Sequence, residues 1–320
     1  MLLRGLGVTL DVSLAESSLD EAEFRRLWSR CLQTDGEPAA QVELASHGSY
    51  VSATQAITRA LIEERWGELL MLHAGAVADP ASGRALAYVA PGGTGKSTLT
   101  RLLSQEWGYL SDETVGIDPA SLAIRPYPKP LTWAAEAGKP KEEHAPDEMG
   151  FQPTPSSPTL AALAVLRRTD GAEATFRPLG LHEALKMIVP ETSSLSKLPR
   201  PLHLFAEVYE RVGGVTLVEY GEAEDLLEWC RESLGAGLAT PGPAHGRSVN
   251  ESSAWVDVQD FLVIDDEAIV LSNEKLLELG PVATAIMQLM PRSVEELAVA
   301  LEAQFGAPED GELIPAIEAH

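Results

Sequence analysis

The chain has 320 residues, of which 45% are hydrophobic and 22% charged, the profile of an ordinary globular protein long enough for two domains and a smaller third. Its 48 acidic and 24 basic side chains leave a net charge of −24, which repels nucleic acid and anionic lipid surfaces at long range, so neither is expected as a partner. Two cysteines, Cys31 and Cys230, give neither a disulfide framework nor metal-ligand spacing and suit a reducing cytoplasm, the expected location; no signal-peptide pattern and no apolar run long enough for a membrane span is read.

Residues 1–68 read as an α+β unit. A strand is expected over residues 6–12, then a helix with Ser18 and Glu21 as its capping box and Phe24, Leu27, Trp28 and Cys31 on one face. A short strand, Gln41-Val42-Glu43-Leu44, precedes a second helix over about residues 52–66 with Ile57, Leu61 and Ile62 inward. The aromatic residues of this unit read as core rather than as ligand stackers, and nothing in it carries chemistry.

Residues 69–78 form an apolar strand interrupted by one ionisable side chain, His73. A lone histidine in such a place is ordinarily a satisfied core residue. The turn Asp79-Pro80-Ala81-Ser82-Gly83 leads into a second buried strand, Arg84-Ala85-Leu86-Ala87-Tyr88-Val89, whose pairing with the first would carry one end of it towards the segment that follows.

That segment, Ala90-Pro91-Gly92-Gly93-Thr94-Gly95-Lys96-Ser97-Thr98, opens onto a helical pattern of Leu99, Leu102 and Leu103 and reads as a phosphate-binding P-loop. Glycines let successive backbone N–H groups converge on phosphate oxygens at a helix N-terminus. Gly92, Gly93, Thr94, Gly95, Lys96, Ser97 and Thr98 are therefore the expected nucleotide-binding residues, Lys96 as a point charge on the β- and γ-phosphates and Ser97 offering its hydroxyl to Mg²⁺. One position departs from the pattern: Ala90 stands where a glycine is usual, and it serves if its φ is negative.

Beyond the helix, the apolar run Trp107-Gly108-Tyr109-Leu110-Ser111 ends on two adjacent acids, Asp112 and Glu113. One carboxylate can hold Mg²⁺ or its water and another can accept a proton from an attacking hydroxyl; a solvated turn is the other reading. Adjacent strand residues point to opposite faces, so both can serve one site only if the strand ends or bulges there.

Residues 117–130 read as a hairpin turning at Asp118-Pro119, and residues 133–158, proline-rich, carrying Lys139 and without apolar periodicity, as a long loop in which His144 is solvated. A buried strand over residues 159–166, a strand over 174–179, and helices over about 181–188, 202–211 and 223–234 follow. Arg167, Arg168, Arg177 and Lys186 have the reach for phosphate but read as surface groups. Residues 236–252, rich in Gly, Pro, Ala and Ser, mark a linker. Residues 253–320 hold a small domain: a hairpin turning at Asp265-Asp266, a helix begun by Pro281, and another capped by Ser293 and Glu296. Its layout is winged-helix-like; the net charge argues against groove binding and for peptide recognition along a sheet edge.

Leu72-His73-Ala74-Gly75, the P-loop after it, Leu110-Ser111-Asp112-Glu113 and Tyr127-Pro128-Lys129-Pro130-Leu131 together resemble, in order and spacing, the catalytic domain of the HPr kinase/phosphorylase family, over roughly residues 65–235. The likeness is to the shorter relatives encoded with peptide-modification genes. The resemblance implies an ATP-dependent kinase acting on a peptide or small-molecule hydroxyl, with His73 beside the nucleotide, Asp112 as general base and Glu113 where the family often has a second Asp. Leu279-Gly280-Pro281-Val282-Ala283-Thr284-Ala285-Ile286 and Arg292-Ser293-Val294-Glu295-Glu296-Leu297 resemble PqqD-like domains, which bind the leader portion of ribosomal peptides.

The expected architecture is α/β: an HPr kinase-type P-loop core over residues 69–235 between the N-terminal unit and the PqqD-like domain. The expected activity is transfer of the γ-phosphate of Mg-ATP to a Ser or Thr hydroxyl of a precursor peptide. Asp112 takes the proton, His73 and Lys96 complete the catalytic set, Ser97 and Glu113 place the Mg²⁺, and the C-terminal domain captures the peptide. A kinase for a free metabolite and a nucleotide-gated peptide chaperone that transfers nothing stay open as alternatives, as does assembly into a homo-oligomer.

Overall fold

The computed structural model describes residues 1–134, 141–235, 246–247, 257–289 and 292–306. The Lys139 stretch of the expected loop, all of the expected linker but two residues, and the chain after Gly306 lie outside the described residues.

The N-terminal unit comprises β1 (Leu2–Gly5), β2 (Val8–Ser13), α1 (Glu21–Leu27), β3 (Leu32–Gln33), β4 (Ala40–Glu43) and α2 (Tyr50–Glu63), with sheet order β3-β1-β2-β4. The strand expected over residues 6–12 is instead the second half of a hairpin. Leu6 and Gly7 both take positive φ, 50° and 83°, which makes the two-residue turn that matches strand twist. The helix after it is capped two residues later than expected: Asp20, not Ser18, accepts from Glu23 N at 2.8 Å. Phe24 and Trp28 are core residues as expected, whereas Trp66 is half exposed.

The central unit runs through β5 (Leu70–Ala78), β6 (Arg84–Val89), α3 (Lys96–Leu103), β7 (Gly108–Ser111), β8 (Thr114–Ile117), β9 (Ile124–Arg125), β10 (Leu131–Trp133), β11 (Glu142–His144), β12 (Thr159–Arg168), β13 (Thr175–Leu179), α4 (Leu181–Ile188), β14 (Thr192–Ser193), α5 (Pro201–Arg211), β15 (Val215–Tyr220) and α6 (Leu227–Gly235). Among the described residues nine of these strands build a mixed sheet, β13-β15-β12-β6-β5-β8-β9, with β7 and β14 also on β5, while β10 and β11 pair separately. β6, β12 and β15 are parallel; β5 and β13 run against their neighbours.

Alternation along β6 and β12 gives the sheet two apolar faces, as a doubly covered sheet requires. Ala85, Ala87, Val89, Leu163 and Val165 face α4 and α5, and Leu86, Tyr88, Ala162 and Ala164 face α3 and α6. The expected loop over residues 133–158 is in part structured. Leu131 to Trp133 pair antiparallel with Glu142 to His144, and His144 lies against the Trp133 ring at 5.9 Å rather than free in solvent.

The C-terminal strands β16 (Gly246–Arg247), β17 (Val258–Ile264), β18 (Glu267–Ser272) and β19 (Lys275–Leu279) form a separate antiparallel sheet, followed by α7 (Pro281–Leu289) and α8 (Val294–Phe305). Asp265 and Asp266 make the expected turn, both at positive φ, and the Ser293–Glu296 capping box is present. β19 was not legible as a strand because Lys275-Leu276-Leu277-Glu278-Leu279 lacks β-branched residues and a clean alternation. One face of this sheet packs on α7 through Val263, Ala268, Val270 and Met287. The other face, Leu262, Ile264, Ile269 and Leu271, joins the core beneath α4 and α5. The chain is a mixed α/β protein, and no helix among its described residues is long and apolar enough to cross a membrane.

Candidate active site

The site forms where four segments meet at one end of the central sheet. β6 ends at Val89 and the chain turns through residues 90–95 into α3, whose N-cap Gly95 is left-handed at φ 93°, with Gly93 at φ 84° before it. Such angles are open to glycine and costly to other residues, which is why the loop is built of it. Ala90 is not among the residues of positive φ, so the missing glycine is accommodated. A Cβ on Gly92 or Gly93 would meet no atom within 4 Å, so these backbone groups face open space as a phosphate cradle needs. Thr94 is turned back on the loop: its hydroxyl donates to Pro91 O at 2.5 Å and its carbonyl accepts from Tyr220 OH at 2.9 Å.

Lys96 Nζ donates to the carbonyls of Ala90 and Pro91, holding the loop closed at its base. Burial pushes its ammonium below the ordinary lysine value, and the carboxylates of Glu191 and Asp112 oppose that shift. α3 is pressed onto β5 at Gly75, where an added Cβ would collide with the Tyr88 ring and come within 2.6 Å of Thr100 Oγ1.

The antiparallel pairing Ala74–Val89 places His73 immediately beyond the end of β6, beside the P-loop. Its Nδ1 lies 3.0 Å from Glu191 Oε2, which fixes the ring's orientation. β7 and β8 are two halves of one strand running along β5, broken between the Ser111–Ala76 and Thr114–His73 pairs. The break is Asp112 and Glu113, held by the Ser111 hydroxyl, which accepts from Glu113 N and Thr114 N at 3.3 and 3.2 Å. This interruption lets both adjacent carboxylates serve one site.

They converge on a residue to which the sequence reading gave no role. Lys129 is fully buried, its Nζ 2.9 Å from Asp112 Oδ1 and 3.3 Å from Glu113 Oε2, and it also donates to Pro130 O at 2.9 Å. Burial alone would strip its proton, but Asp112, Glu113 and then Glu143 hold the ammonium well above the ordinary lysine range. Asp112 completes its contacts with Tyr109 OH at 3.0 Å and with the P-loop hydroxyl, Ser97 Oγ, at 3.2 Å.

A cleft of about 680 Å³ runs along these residues. His73, Gly92, Gly93, Gly95, Lys96, Ser97, Thr98, Asp112 and Glu113 all line it, so of the expected site residues only Thr94 lies off its wall. Thr132, Trp133, Lys141 and Arg168 line it too. Arg168, expected as a surface group, donates its Nε to Gly221 O at 2.9 Å, which steers the side chain to the loop. Trp133, with the Arg101 guanidinium 4.9 Å from its ring centre, walls the cleft beyond α3. A second hollow, about 710 Å³, lies between the N-terminal unit and residues 123–128 and 153–159 and holds none of the expected residues. Two of its arginines are paired, Arg30 with Asp147 and Arg125 with Asp118.

The donor set fits a Mg-nucleotide: open backbone amides and an ammonium for phosphate, and hard oxygens from Ser97 and the acid pair for a divalent ion that keeps several waters. No family model and no curated protein matches the chain.

Proposed function

We propose that this protein is an ATP-dependent phosphotransferase that moves the γ-phosphate to a Ser or Thr hydroxyl of a precursor peptide or protein. The observation that carries the reading is the 3.2 Å contact of Ser97 Oγ with Asp112 Oδ2, which joins the phosphate cradle to a carboxylate pair in one cleft.

The backbone of residues 92–98 and Lys96 would hold the β- and γ-phosphates and stabilise charge on the oxygens of the transferring group. Mg²⁺, held through Ser97 and the acid pair, would neutralise phosphate charge. His73, oriented by Glu191, stands beside the P-loop with its Nε2 without a partner among the described residues, on the wall of the cleft that would take the phosphates. The C-terminal sheet, winged-helix-like in its hairpin and paired helices, is read as the peptide-capturing part, as the PqqD resemblance implies.

The test is incubation of peptides encoded beside the gene with ATP carrying a radiolabelled γ-phosphate, with the product read by mass spectrometry. Wild type is expected to add one phosphate to a serine or threonine, and Lys96→Ala to add none while keeping its fold. Absence of labelled product, from protein shown to bind both ATP and peptide, would overturn the reading in favour of nucleotide-gated binding.

A further inference from the structure

Arg168 lines the P-loop cleft from β12, a strand that carries none of the expected site residues. Its place follows from strand alternation. Ala162, Ala164 and Leu166 face α3 and α6, and Arg168, next in that alternation, comes out on the same face where β12 runs past the end of β6. Its stem passes Gly95, where an added Cβ would lie 3.7 Å from Arg168 Cδ, so the side chain stands against the N-terminus of α3.

Arg168 and the acids flank the P-loop from opposite sides. In the order β15-β12-β6-β5-β8 the loop leaves the end of β6. His73 and the break at Asp112 and Glu113 lie on the β5 and β8 side of it, and Arg168 on the β12 side. The chain itself changes sides here, since it goes from β6 to β7 and β8 beyond β5 and only later returns to β12. Such a switch point opens a crevice at the carboxyl ends of the strands, where α/β sheets bind ligands. A nucleotide whose terminal phosphate lies towards Ser97 and Asp112 therefore carries its base towards the ends of β12 and β15.

Those ends form a fixed support. Thr169 N donates to Tyr220 O at 2.9 Å, and the two loops pack so closely that a Cβ on Gly221 would fall 2.7 Å from Ala172 O. Arg168 is held there by its edge: Nε donates to Gly221 O at 2.9 Å, and Nη2 lies 3.4 Å from Asp170 Oδ1 and 3.6 Å from Glu222 Oε1. The side chain is 41% exposed, and no aromatic ring of the described residues covers its plane. Two carboxylates beside one guanidinium leave no net positive charge to attract a phosphate. A flat guanidinium anchored by its edge is suited instead to stacking on an uncharged ring.

We propose that Arg168 is the platform on which the adenine base of the nucleotide stacks, and that Asp170 and Glu222 hold the plane of that platform and turn phosphate away from it. This rests on the phosphotransferase reading and extends it to the half of the nucleotide that the P-loop does not touch. Arg168 selects the ligand that carries a base and takes no part in the transfer step.

The experiment measures, by calorimetry in Mg²⁺ on the full chain, affinity for a non-hydrolysable ATP analogue and for inorganic tripolyphosphate, which offers the P-loop its phosphates without a base. Arg168→Ala is expected to lose about 10–100-fold in affinity for the ATP analogue, the span of one base stacked on a side chain, with tripolyphosphate affinity unchanged. Arg168→Lys keeps the charge and discards the plane, so it should lose as much. Parallel losses for both ligands, or full affinity for the ATP analogue in Arg168→Lys, would show that the side chain serves phosphate as a charge and overturn the assignment alone. Wild type that binds neither ligand overturns the phosphotransferase reading with it. Should Arg168→Ala fail to fold, Arg168→Lys, which keeps the stem and the ion pairs, carries the test by itself. Asp170→Asn combined with Glu222→Gln uncovers the charge of Arg168 and is expected to raise tripolyphosphate affinity; an unchanged or lowered affinity removes the two carboxylates from the proposal.

Discussion

Lys129 Nζ sits 2.9 Å from Asp112 Oδ1 with both side chains sealed from solvent, at 1% and 3% exposure. Withdrawing one partner of such a pair leaves the other as an uncompensated buried charge, and here Glu113 adds a second carboxylate nearby. Lys129→Met should therefore destabilise the protein by roughly 3–5 kcal/mol, read as a lowered urea midpoint. Lys129→Arg should not rescue it, because the planar guanidinium does not fit a space closed around a compact ammonium. An unchanged midpoint in Lys129→Met would show that the cluster contributes nothing to the fold.

The parts of the site that lie close in sequence were legible there, and the parts made by distant contacts were not. The strand, glycine turn and helix around Lys96 follow from local chemistry, and the turn at residues 79–83 joined His73 to them through one antiparallel pairing. The acids at 112 and 113 showed as the end of an apolar run, although their convergence depended on a strand break that no local rule required. Lys129 lies in a segment that carries the family resemblance, but the resemblance gave it no role, and a lysine between two prolines does not read as a buried charge. It is buried because β9 returns along β8 and delivers Tyr127 and Leu131 on either side of it into separate cores. The hairpin turn at Leu6-Gly7 escaped notice because leucine rarely takes positive φ.

His73 and Glu191 should act as a unit. The 3.0 Å contact between Nδ1 and Oε2 holds the ring beside the P-loop, so His73→Ala and Glu191→Gln remove overlapping contributions. Their effects on the transfer rate should be less than additive in the double variant, with a coupling of roughly 0.5–3 kcal/mol. Strictly additive effects would mean that Glu191 does not act through the histidine.

The C-terminal sheet is bound to the central unit by more than an apolar face. α5 begins at Pro201 after a left-handed Arg200 and has no side-chain cap of its own segment. Asp260 of β17 supplies one from outside, accepting from Leu202 N at 2.8 Å and His203 N at 3.4 Å, with its other oxygen 3.1 Å from His203 Nδ1. A carboxylate at a helix N-terminus also meets the positive end of the helix dipole. Asp260→Ala should cost about 1–2 kcal/mol, and faster hydrogen exchange at Leu202, His203 and along β17 should report it. Asp260→Asn keeps the acceptor and should lose less. Equal exchange in all three proteins would show that the sheet is held by its apolar face alone.

Stability should fall on the alkaline side, and the sign follows from burial. Burial pushes the thiols of Cys31 and Cys230 up to about 12, and it raises the phenols of Tyr88, Tyr109 and Tyr127 well above their ordinary value. A raised folded-state pKa means that the stabilising difference is intact below the unfolded-state value, 9.0 for the thiols, and is lost as pH rises towards about 12. Each such group lowers stability by up to about 1.4 kcal/mol per pH unit across its window. The urea midpoint should hold steady to near pH 8.5 and then decline, with the thiols contributing first and the phenols from about pH 10 upward. Cys31→Ala combined with Cys230→Ala should flatten the first part of that decline and leave the second. In the native wild type neither thiol should react with a disulfide reagent at pH 8, since a buried neutral thiol is not a nucleophile. Prompt labelling of Cys31 or Cys230 in folded protein, or an identical pH profile in the double variant, would show that burial does not hold these groups neutral.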